Sequence, residues 1–378
     1  MSQLEYQVAL SDEMVDAAQQ LEGMRLRVEP WNEEATLDTI RHYAHGIGDP
    51  NPLWSSEAYA KESVFGDVIA PPTFLYSAYD GAIGLGFEGV QPIYAGTEWT
   101  FHQRVRRNDR IRAEAVMGPA TVHSGGMAPR FAIQRVNISY LRVGDDALVA
   151  EAVASTFRVP RAGADQGLRY EARAAEEYTD ADFERLGREA REEPIRGAET
   201  RYVEDVRVGD PIPSVLKGPL QQITMTAYYA GCIGSPGYKA DEMSWWYRYW
   251  AVNEPERLPN NYDPTYFSER VLPSLGHQNA EVAREIGMPG AYGNGPQKCG
   301  WLAHPVTNWM GDEGELKQYA VRLRRPDIFG DLSRCSGTVT AVDPASGEVR
   351  IALRAVNQAD ELTAEGSAVV ELRRRGTR

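Results

Sequence analysis

Cysteine and histidine are both scarce in this sequence. Its 378 residues include three cysteines and six histidines, and the cysteines stand far apart, at Cys232, Cys299 and Cys335. Three scattered cysteines form neither a disulfide framework nor a zinc site. His42 and His45 lie about one helical turn apart, but no further ligand stands near them in the sequence. We therefore expect no metal ion and no disulfide bond.

Positive charge is also in deficit. The 40 lysines and arginines are outnumbered by 54 aspartates and glutamates, which gives a net charge of −14. Nucleic acids and anionic membrane surfaces attract proteins with a positive field, so we expect neither as a partner. No apolar run approaches the roughly 18 residues of a membrane-spanning helix, and the first residues lack the pattern of a signal peptide. These absences favour a cytoplasmic protein.

What the sequence does contain is a pattern that occurs twice. Each half begins with a helical segment, at residues 36–49 and 223–235, and continues through a loop rich in glycine and proline. An apolar helix follows, starting at Ile69 in the first half and at Gly293 in the second. Each half ends in four long runs of alternating apolar and polar residues, which predict strands with one buried face. Length and repeat together predict two domains of one fold.

We expect an α+β fold in which each half wraps an antiparallel sheet around its apolar helix. The two sheets would pair edge to edge and so protect their edge strands. The predicted boundaries are residues 1–160 for the N-terminal half, 161–198 for a charged linker and 199–378 for the C-terminal half. The linker is poor in large apolar residues, so we expect a solvated connector that contains one charged helix ending near Arg191.

Two pairs of motifs carry a resemblance to a known family. The first half contains G-D-P-N-P at residues 48–52 and I-A-P-P at residues 69–72. The second half contains L-G-H-Q-N at residues 275–279 and G-M-P-G-A-Y-G-N-G at residues 287–295. These segments resemble the MaoC-like acyl dehydratases and R-specific enoyl-CoA hydratases, with an N-terminal half of the FAS1-like dehydratase type. The resemblance implies two hotdog folds in one chain, a double hotdog.

The chemistry of that family divides between a base and a hydrogen-bond donor. Its members add water across the double bond of an enoyl thioester, or remove it. An Asp and a His hold and deprotonate the water, which is a poor nucleophile without a base. A backbone N–H at the start of the central helix polarises the thioester carbonyl. The resemblance further implies an acyl-CoA substrate, no cofactor beyond the coenzyme A of that substrate, and a homodimer.

The first half matches this pattern incompletely. Asp49 and Asn51 stand at the family's Asp and Asn positions, but Trp54 replaces the His and cannot take a proton. Pro72, preceded by Pro71, stands where a glycine would donate its N–H, and proline has none. We therefore expect a degenerate half that makes room for a bulky acyl chain. Trp54 is assigned to substrate binding there, and Asp49 and Asn51 are either secondary site residues or turn residues that bond to backbone.

The second half keeps the two groups that the first half lacks. His277 and Gly295 match the family's His and glycine, so they are the predicted catalytic residues. Asn294 replaces the His of the H-G pair, and Asn279 replaces the second acid of H-x-D. The predicted substrate-binding residues of this half are Ser235, Tyr238 and Asn294.

The acid that should accompany His277 is missing. The position that corresponds to Asp49 holds Ser235. Within an insertion of about 36 residues between Tyr238 and Leu275, Asp263 or Glu269 could replace the acid, or Ser235 itself could hold the water. The insertion is dense in tryptophan and tyrosine, which suits ring packing. It forms the wall of a pocket for a bulky, ring-containing acyl group, or a subdomain that covers the mouth or builds a subunit interface, or both.

The predicted function is that of a hydro-lyase. It would hydrate a bulky enoyl-CoA reversibly, or dehydrate a 3-hydroxyacyl-CoA, with a fatty, aromatic or steroid acyl group. Two alternatives stay open because the full Asp and His pair is absent. One is a non-catalytic accessory subunit that shapes a partner's acyl pocket, and the other is a hotdog thioesterase or lyase with altered chemistry.

Overall fold

The strands of the protein form one continuous antiparallel sheet. The computed structural model describes residues 8–82, 84–161, 170–232, 241–259 and 273–376. In these ranges ten strands pair in the order β1-β3-β4-β5-β2-β7-β10-β9-β8-β6. Their bounds are β1 Arg25–Leu26, β2 Gln91–Phe101, β3 Ile111–His123, β4 Phe131–Arg142, β5 Leu148–Val159, β6 Pro211–Lys217, β7 Glu315–Leu323, β8 Ser333–Asp343, β9 Glu348–Val356 and β10 Leu362–Glu371.

The helices of the described ranges are mostly short. The α-helices are α1 Asp12–Gln19, α2 Leu37–Gly46, α3 Glu57–Glu62, α4 Asp180–Arg191, α5 Gln222–Cys232, α6 Asp241–Asn253, α7 Ala280–Glu285 and α8 Gly295–Met310. Short 3₁₀ helices include Pro52–Trp54, Pro72–Ser77 and Pro273–His277. Among the described residues no helix combines the length and the apolar character needed to cross a bilayer.

The fold prediction is confirmed. All eight alternating segments form long strands, and the two half-sheets meet edge to edge where β2 pairs with β7, from Gly96 opposite Arg322 to Thr100 opposite Gln318. Each half-sheet curves around its own central segment. In the C-terminal half this segment is α8, whose residues from Pro296 to Met310 are all buried. The chain is therefore a double hotdog of the α+β class.

The central helix of the N-terminal half differs from the prediction. A long apolar helix was expected from Ile69, but the structure has only the six-residue 3₁₀ helix Pro72–Ser77. Pro71 and Pro72 remove two backbone donors at its start. After Ser77 the chain turns through Asp80 and Gly81, where the Asp80 carboxylate accepts the N–H of Ala82 at 2.8 Å and Gly81 has a φ of +64°. A left-handed residue and a local side-chain bond both end a helix.

The described part of the linker is mostly exposed and contains the predicted charged helix, α4, which ends at Arg191, but it is also attached to the C-terminal half. In α4, Leu186 is buried, and Glu189 forms an ion pair with Arg334 of β8. Arg173 pairs at 2.5 Å with the buried Asp331. These contacts join the linker to the C-terminal half. The sequence did not indicate them because each partner lies more than a hundred residues away.

The insertion contributes one α-helix, α6, to the described residues. In α6 Trp245, Trp246 and Tyr249 are each about half exposed, whereas Tyr247 is buried and its hydroxyl donates to Glu29 at 3.0 Å. The helix is thus attached to the N-terminal half on one side. Neither interpretation of the insertion is tested by these contacts.

The helices α2 and α5 cross where two glycines let their backbones touch. A Cβ on Gly231 would lie 2.5 Å from the carbonyl oxygen of His42, and one on Gly46 would lie 3.0 Å from the Cα of Tyr228. The first distance is too short for a real Cβ and the second is unusually tight, so glycine is required at position 231 and favoured at position 46. The contact joins the first helices of the two halves.

Substitution of the crossing glycine tests this packing. We expect Gly231→Ala to lower the free energy of unfolding by about 1–3 kcal/mol, because the added methyl group forces the helices apart. The matched control is Gly187→Ala in α4, where the new Cβ would meet only the flexible end of Arg191. That change should raise stability by about 1 kcal/mol through helix propensity. Urea denaturation measures both, and equal effects of the two substitutions would contradict the close crossing.

Candidate active site

The two central segments begin at equivalent points of the fold. In the N-terminal half Ile69 forms a β-bridge with Arg106, and in the C-terminal half Tyr292 forms one with Ile328. The next amide repeats the match: Ala70 donates to the carbonyl of Val105, and Gly293 donates to that of Asp327, each at 2.9 Å. These pairs align Pro72 with Gly295. The sequence match between proline and glycine is thus a match in space.

The short helices that precede the two central segments in the chain are equivalent too. Trp54 ends one 3₁₀ helix and His277 ends another. A six-residue α-helix follows each, capped by Ser56 in the first half and by Asn279 in the second. The Asn279 side chain accepts the N–H groups of Glu281 and Val282. Asn279, at the family's second acid position, is therefore a helix cap.

His277 lies beside the start of α8. Its Nδ1 is 2.9 Å from the carbonyl oxygen of Tyr292, so Nδ1 carries the proton and donates it. The half-buried ring packs 4.2 Å from the Tyr292 ring and 6.5 Å from the ring of Tyr229 on α5, measured between centroids. Burial lowers the pKa of His277 to about 4, although the bond to Tyr292 works against this. The ring is therefore neutral at pH 7, with its Nε2 lone pair available as an acceptor.

The N-terminus of α8 is the accessible end of that helix. Gly293, Asn294 and Gly295 are half-buried, and every residue from Pro296 onward is buried. A first helical residue has no intrahelical acceptor for its N–H, and Asn294 places no side-chain cap there. Its own Oδ1 is buried and has no hydrogen-bond partner in the part of the chain that the structure describes. The Gly295 amide thus lies at an open, uncapped positive helix end.

Gly295 also touches the N-terminal half. A Cβ at this position would lie 2.5 Å from the Cβ of Tyr94 on β2. The Tyr94 hydroxyl in turn donates to the carbonyl oxygen of Asp80 at 3.2 Å and bonds to Thr97. The start of α8 is therefore held between His277 of its own half and Tyr94 of the other.

The N-terminal half contains no such pair of groups. Trp54 is buried, and its indole N–H donates to Asp49 at 3.0 Å. Asp49 also accepts the backbone N–H of Asn51, whose own side chain caps the 3₁₀ helix through Leu53. Trp54, predicted to contact substrate, is instead packed in the hydrophobic core. Pro72 begins a 3₁₀ helix and has no N–H to donate.

A buried polar cluster joins Asp49 to three residues that the sequence did not suggest. His304 of α8 has its Nδ1 2.5 Å from the ammonium of Lys217, and its Nε2 lies 2.8 Å from Glu193 and 3.3 Å from Asp49. The side chains of His304 and Asp49 are at most 1% exposed, so solvent does not reach them. We call Asp49, Glu193, Lys217 and His304 the polar cluster.

Several predicted residues lie outside the described ranges. These are Ser235, Tyr238, Asp263 and Glu269. The structure therefore does not test whether Asp263, Glu269 or Ser235 takes the place of the missing acid. Among the described residues no group of three or more His, Cys, Asp or Glu side chains could hold a metal ion. The site assembled so far consists of His277, Asn294 and Gly295, with Tyr94 and Tyr229 as walls.

Known proteins resemble this chain in its N-terminal half by sequence and over most of its length by structure. Residues 20–128 match the family model described as FAS1-like, dehydratase domain region. A UPF0336 protein of Streptomyces avermitilis is 32% identical over 85 residues, which are 21% of this chain and 57% of that protein. One of Thermobifida fusca is 54% identical over 81 residues, 21% of this chain and 49% of that protein. The chain thus spans about half the length of these curated relatives.

Solved structures match the whole chain. A MaoC-like dehydratase covers 94% of this chain and 100% of its own length, with a TM-score of 0.63 and 15% identity. A MaoC-like dehydratase from Phytophthora capsici covers 96% of this chain and 99% of its own, with a TM-score of 0.51 and 10% identity. At such identities the match concerns the fold. The resemblance inferred from the motifs is confirmed at that level.

Substitution in the polar cluster should affect stability and leave catalysis nearly unchanged. Asp49→Asn removes a charge from a buried ionic group, and we expect a loss of about 3 kcal/mol in unfolding free energy. Turnover measured well below the melting temperature should change less than about threefold, because these side chains are closed to solvent. Asp38→Asn is the control, since Asp38 pairs with Arg41 at the surface and should cost at most about 0.5 kcal/mol. A large loss of turnover in Asp49→Asn without a loss of stability would place the active site in the N-terminal half.

Acidification should reveal the neutral His277. Its pKa is lowered from 6.5 to about 4, so the unfolded chain takes up a proton over this range and the folded chain does not. Stability contributed by neutral His277 is therefore lost as the pH falls from 6.5 to 4, by at most about 3 kcal/mol. Unfolding curves of the wild type and His277→Asn from pH 7.5 to 4.5 measure the difference. Parallel pH dependences would show that the ring protonates freely in the folded state.

Proposed function

Since this chain has the fold of the MaoC-like dehydratases and carries a FAS1-like dehydratase region at residues 20–128, we propose that it is a hydro-lyase for enoyl thioesters. It would add water reversibly to a bulky enoyl-CoA at the start of α8. The observation that carries the proposal is the tautomer of His277. Its Nδ1 is committed to the carbonyl of Tyr292, which leaves Nε2 to accept a hydrogen bond from water.

A neutral imidazole suits the first part of the reaction, the attack of water on the double bond. Hydration needs an acceptor beside the water, because an unassisted water is a poor nucleophile. Lowering the pKa of His277 to about 4 keeps the ring unprotonated throughout the neutral range. The rings of Tyr292 and Tyr229 fix its position. His277 therefore holds the attacking water in one orientation without becoming a cation.

The N-terminus of α8 suits the second part of the reaction, the build-up of negative charge on the thioester oxygen. When the water oxygen bonds to the β-carbon, the electron pair of the double bond moves toward the thioester oxygen. A preformed donor there lowers the barrier, and removal of one such donor typically costs about 100-fold or more in rate. The Gly295 N–H lies at the uncapped end of α8, and Pro72 at the equivalent point of the first half has none. This difference supports one reaction centre per chain.

The N-terminal half supports the proposal through the shape of its central segment. The 3₁₀ helix Pro72–Ser77 replaces a helix that would be as long as α8. Because this 3₁₀ helix ends at Ser77, the chain that lies beside Tyr94 is irregular rather than helical. We propose that this irregular chain receives the acyl group and that the coenzyme A portion stays outside.

The test is a substrate panel. Purified protein is mixed with crotonyl-CoA and with longer, branched and aromatic enoyl-CoAs, and the loss of enoyl absorbance is followed. Free thiol is measured in parallel. Hydration of at least one bulky enoyl-CoA without thiol release supports the proposal. Thiol release would instead indicate a thioesterase, and no reaction with any substrate would indicate an accessory protein.

The decisive variant is His277→Asn. The asparagine amide can still donate to the carbonyl of Tyr292, as Nδ1 does, but it offers no imidazole Nε2. We expect kcat to fall about 100-fold or more, while the melting temperature stays within a few degrees. The matched control is His45→Asn on the exposed side of α2, which should leave kcat unchanged. Equal activity of His277→Asn and the wild type would refute the assignment of His277.

A further inference from the structure

The site as described contains no carboxylate, although the family's reaction uses one. With a pKa of about 4, His277 is a weak base at neutral pH. The proton that the water loses therefore needs another acceptor. The C-terminal half has serine at the position of the family's acid. A carboxylate from elsewhere in the fold is therefore the group to look for.

The buried acids of the described residues separate into two kinds. Asp327 bonds to Lys298 and Asp331 bonds to Arg173. Asp312 accepts the Tyr59 hydroxyl, and Asp49 belongs to the polar cluster. The remaining buried acid is Asp80, which is 8% exposed. Its carboxylate accepts the backbone N–H groups of Ala82 and of Asp80 itself, and in the described ranges no basic side chain is paired with it.

The position of Asp80 follows from the internal repeat. At the end of α2, Asp49 faces His304, which lies on the central helix of the opposite half. The counterpart of that central helix in the N-terminal half is the segment that begins at Pro72 and continues through Asp80. The repeat therefore places Asp80 opposite the end of α5, where Cys232 is the last described residue. The electrostatic effect of Asp80 on Cys232 agrees with this placement.

Asp80 also adjoins the start of α8. Tyr94 donates its hydroxyl to the carbonyl oxygen of Asp80, and the same side chain packs against Gly295. The backbone of Asp80 is thus one aromatic ring away from the amide assigned to the thioester oxygen.

We propose that Asp80 is the carboxylate that takes the proton from the attacking water at this site. The inference rests on the proposed hydratase function and deepens it. As the water oxygen bonds to the β-carbon, its proton passes to Asp80 while His277 holds the second hydrogen of the water. The enolate then takes that proton from Asp80 at the α-carbon. The sum is the addition of one water, and Asp80 and His277 return to their starting forms.

The surroundings of Asp80 suit such an exchange. Burial raises its pKa from 3.8 to about 7, and an acid that titrates near the working pH both takes and gives a proton readily. The titratable groups that interact with it are all neutral at pH 7, because burial raises their pKa values as well. They are Tyr79, Tyr94, Tyr140, Tyr228, Cys232 and Cys299.

The experiment compares Asp80→Asn with the wild type on the best enoyl-CoA of the panel. We expect kcat to fall about 100-fold or more, with unchanged Kd for the corresponding saturated acyl-CoA. In the wild type a plot of kcat/KM against pH should have a rising limb centred near pH 7. This limb should be absent in the variant. Asp312→Asn is the control: it neutralises another buried acid, beyond the far end of α8, and should keep both kcat and the limb.

Folding is checked with the same proteins. A buried acid with a raised pKa costs stability as the pH rises from about 4 to 7, so Asp80→Asn should gain in melting temperature relative to the wild type between pH 5 and pH 8. A folded Asp80→Asn enzyme with kcat within threefold of the wild type would overturn the inference and leave the hydratase proposal standing. A rise in KM alone, with the pH limb kept, would make Asp80 a pocket wall and equally overturn it. A wild type that hydrates no enoyl-CoA would remove the hydratase proposal and this inference together.

Discussion

The contact between Gly295 and Tyr94 is the constraint on which the candidate site depends. Tyr94 belongs to β2, the strand that joins the N-terminal half-sheet to β7 of the other half. Because a Cβ at position 295 would lie 2.5 Å from the Cβ of Tyr94, the first residue of α8 can approach the seam only as glycine. The close approach brings the uncapped end of the central helix against the opposite half. Tyr94 is thus the contribution of the N-terminal half to the site, and it contacts Gly295 where β2 pairs with β7.

The two halves have divided structural and chemical roles at equivalent positions. The Asp49 side is closed, since the Trp54 indole and the His304 ring both lie against the Asp49 carboxylate, and His304 in turn contacts Lys217 and Glu193. The His277 side has an imidazole with one nitrogen committed and an amide at a helix end. Polar groups that satisfy one another stabilise a core, whereas polar groups that are left without partners are available to a ligand. The repeat therefore shows the same framework in a closed and an open form.

The sequence predicted what is local or periodic. Alternation located eight strands, the apolar run from Gly293 located α8, and the proline at position 72 correctly marked the half without an amide donor. It did not predict the bond between His304 and Lys217 or the pairing of Arg173 with Asp331, because such contacts join residues that lie far apart in the chain. Nor did it predict the early end of the first central helix. That end depends on a left-handed glycine and an aspartate turn inside an otherwise apolar run.

The acid role proposed for Asp80 is one that motif comparison would miss. A motif transfers a residue between positions that are equivalent within one half, and the acid position of the C-terminal half holds serine. The repeat brings a second position near the same place, from the other half, since the end of each first helix faces the central segment of its partner. A carboxylate supplied from that segment needs no counterpart in the motif. Its burial without a basic partner among the described residues is expensive for the fold, because desolvation raises its pKa to about 7. Buried acids with such a shifted pKa are concentrated at functional sites, and this tendency supports the role proposed for Asp80.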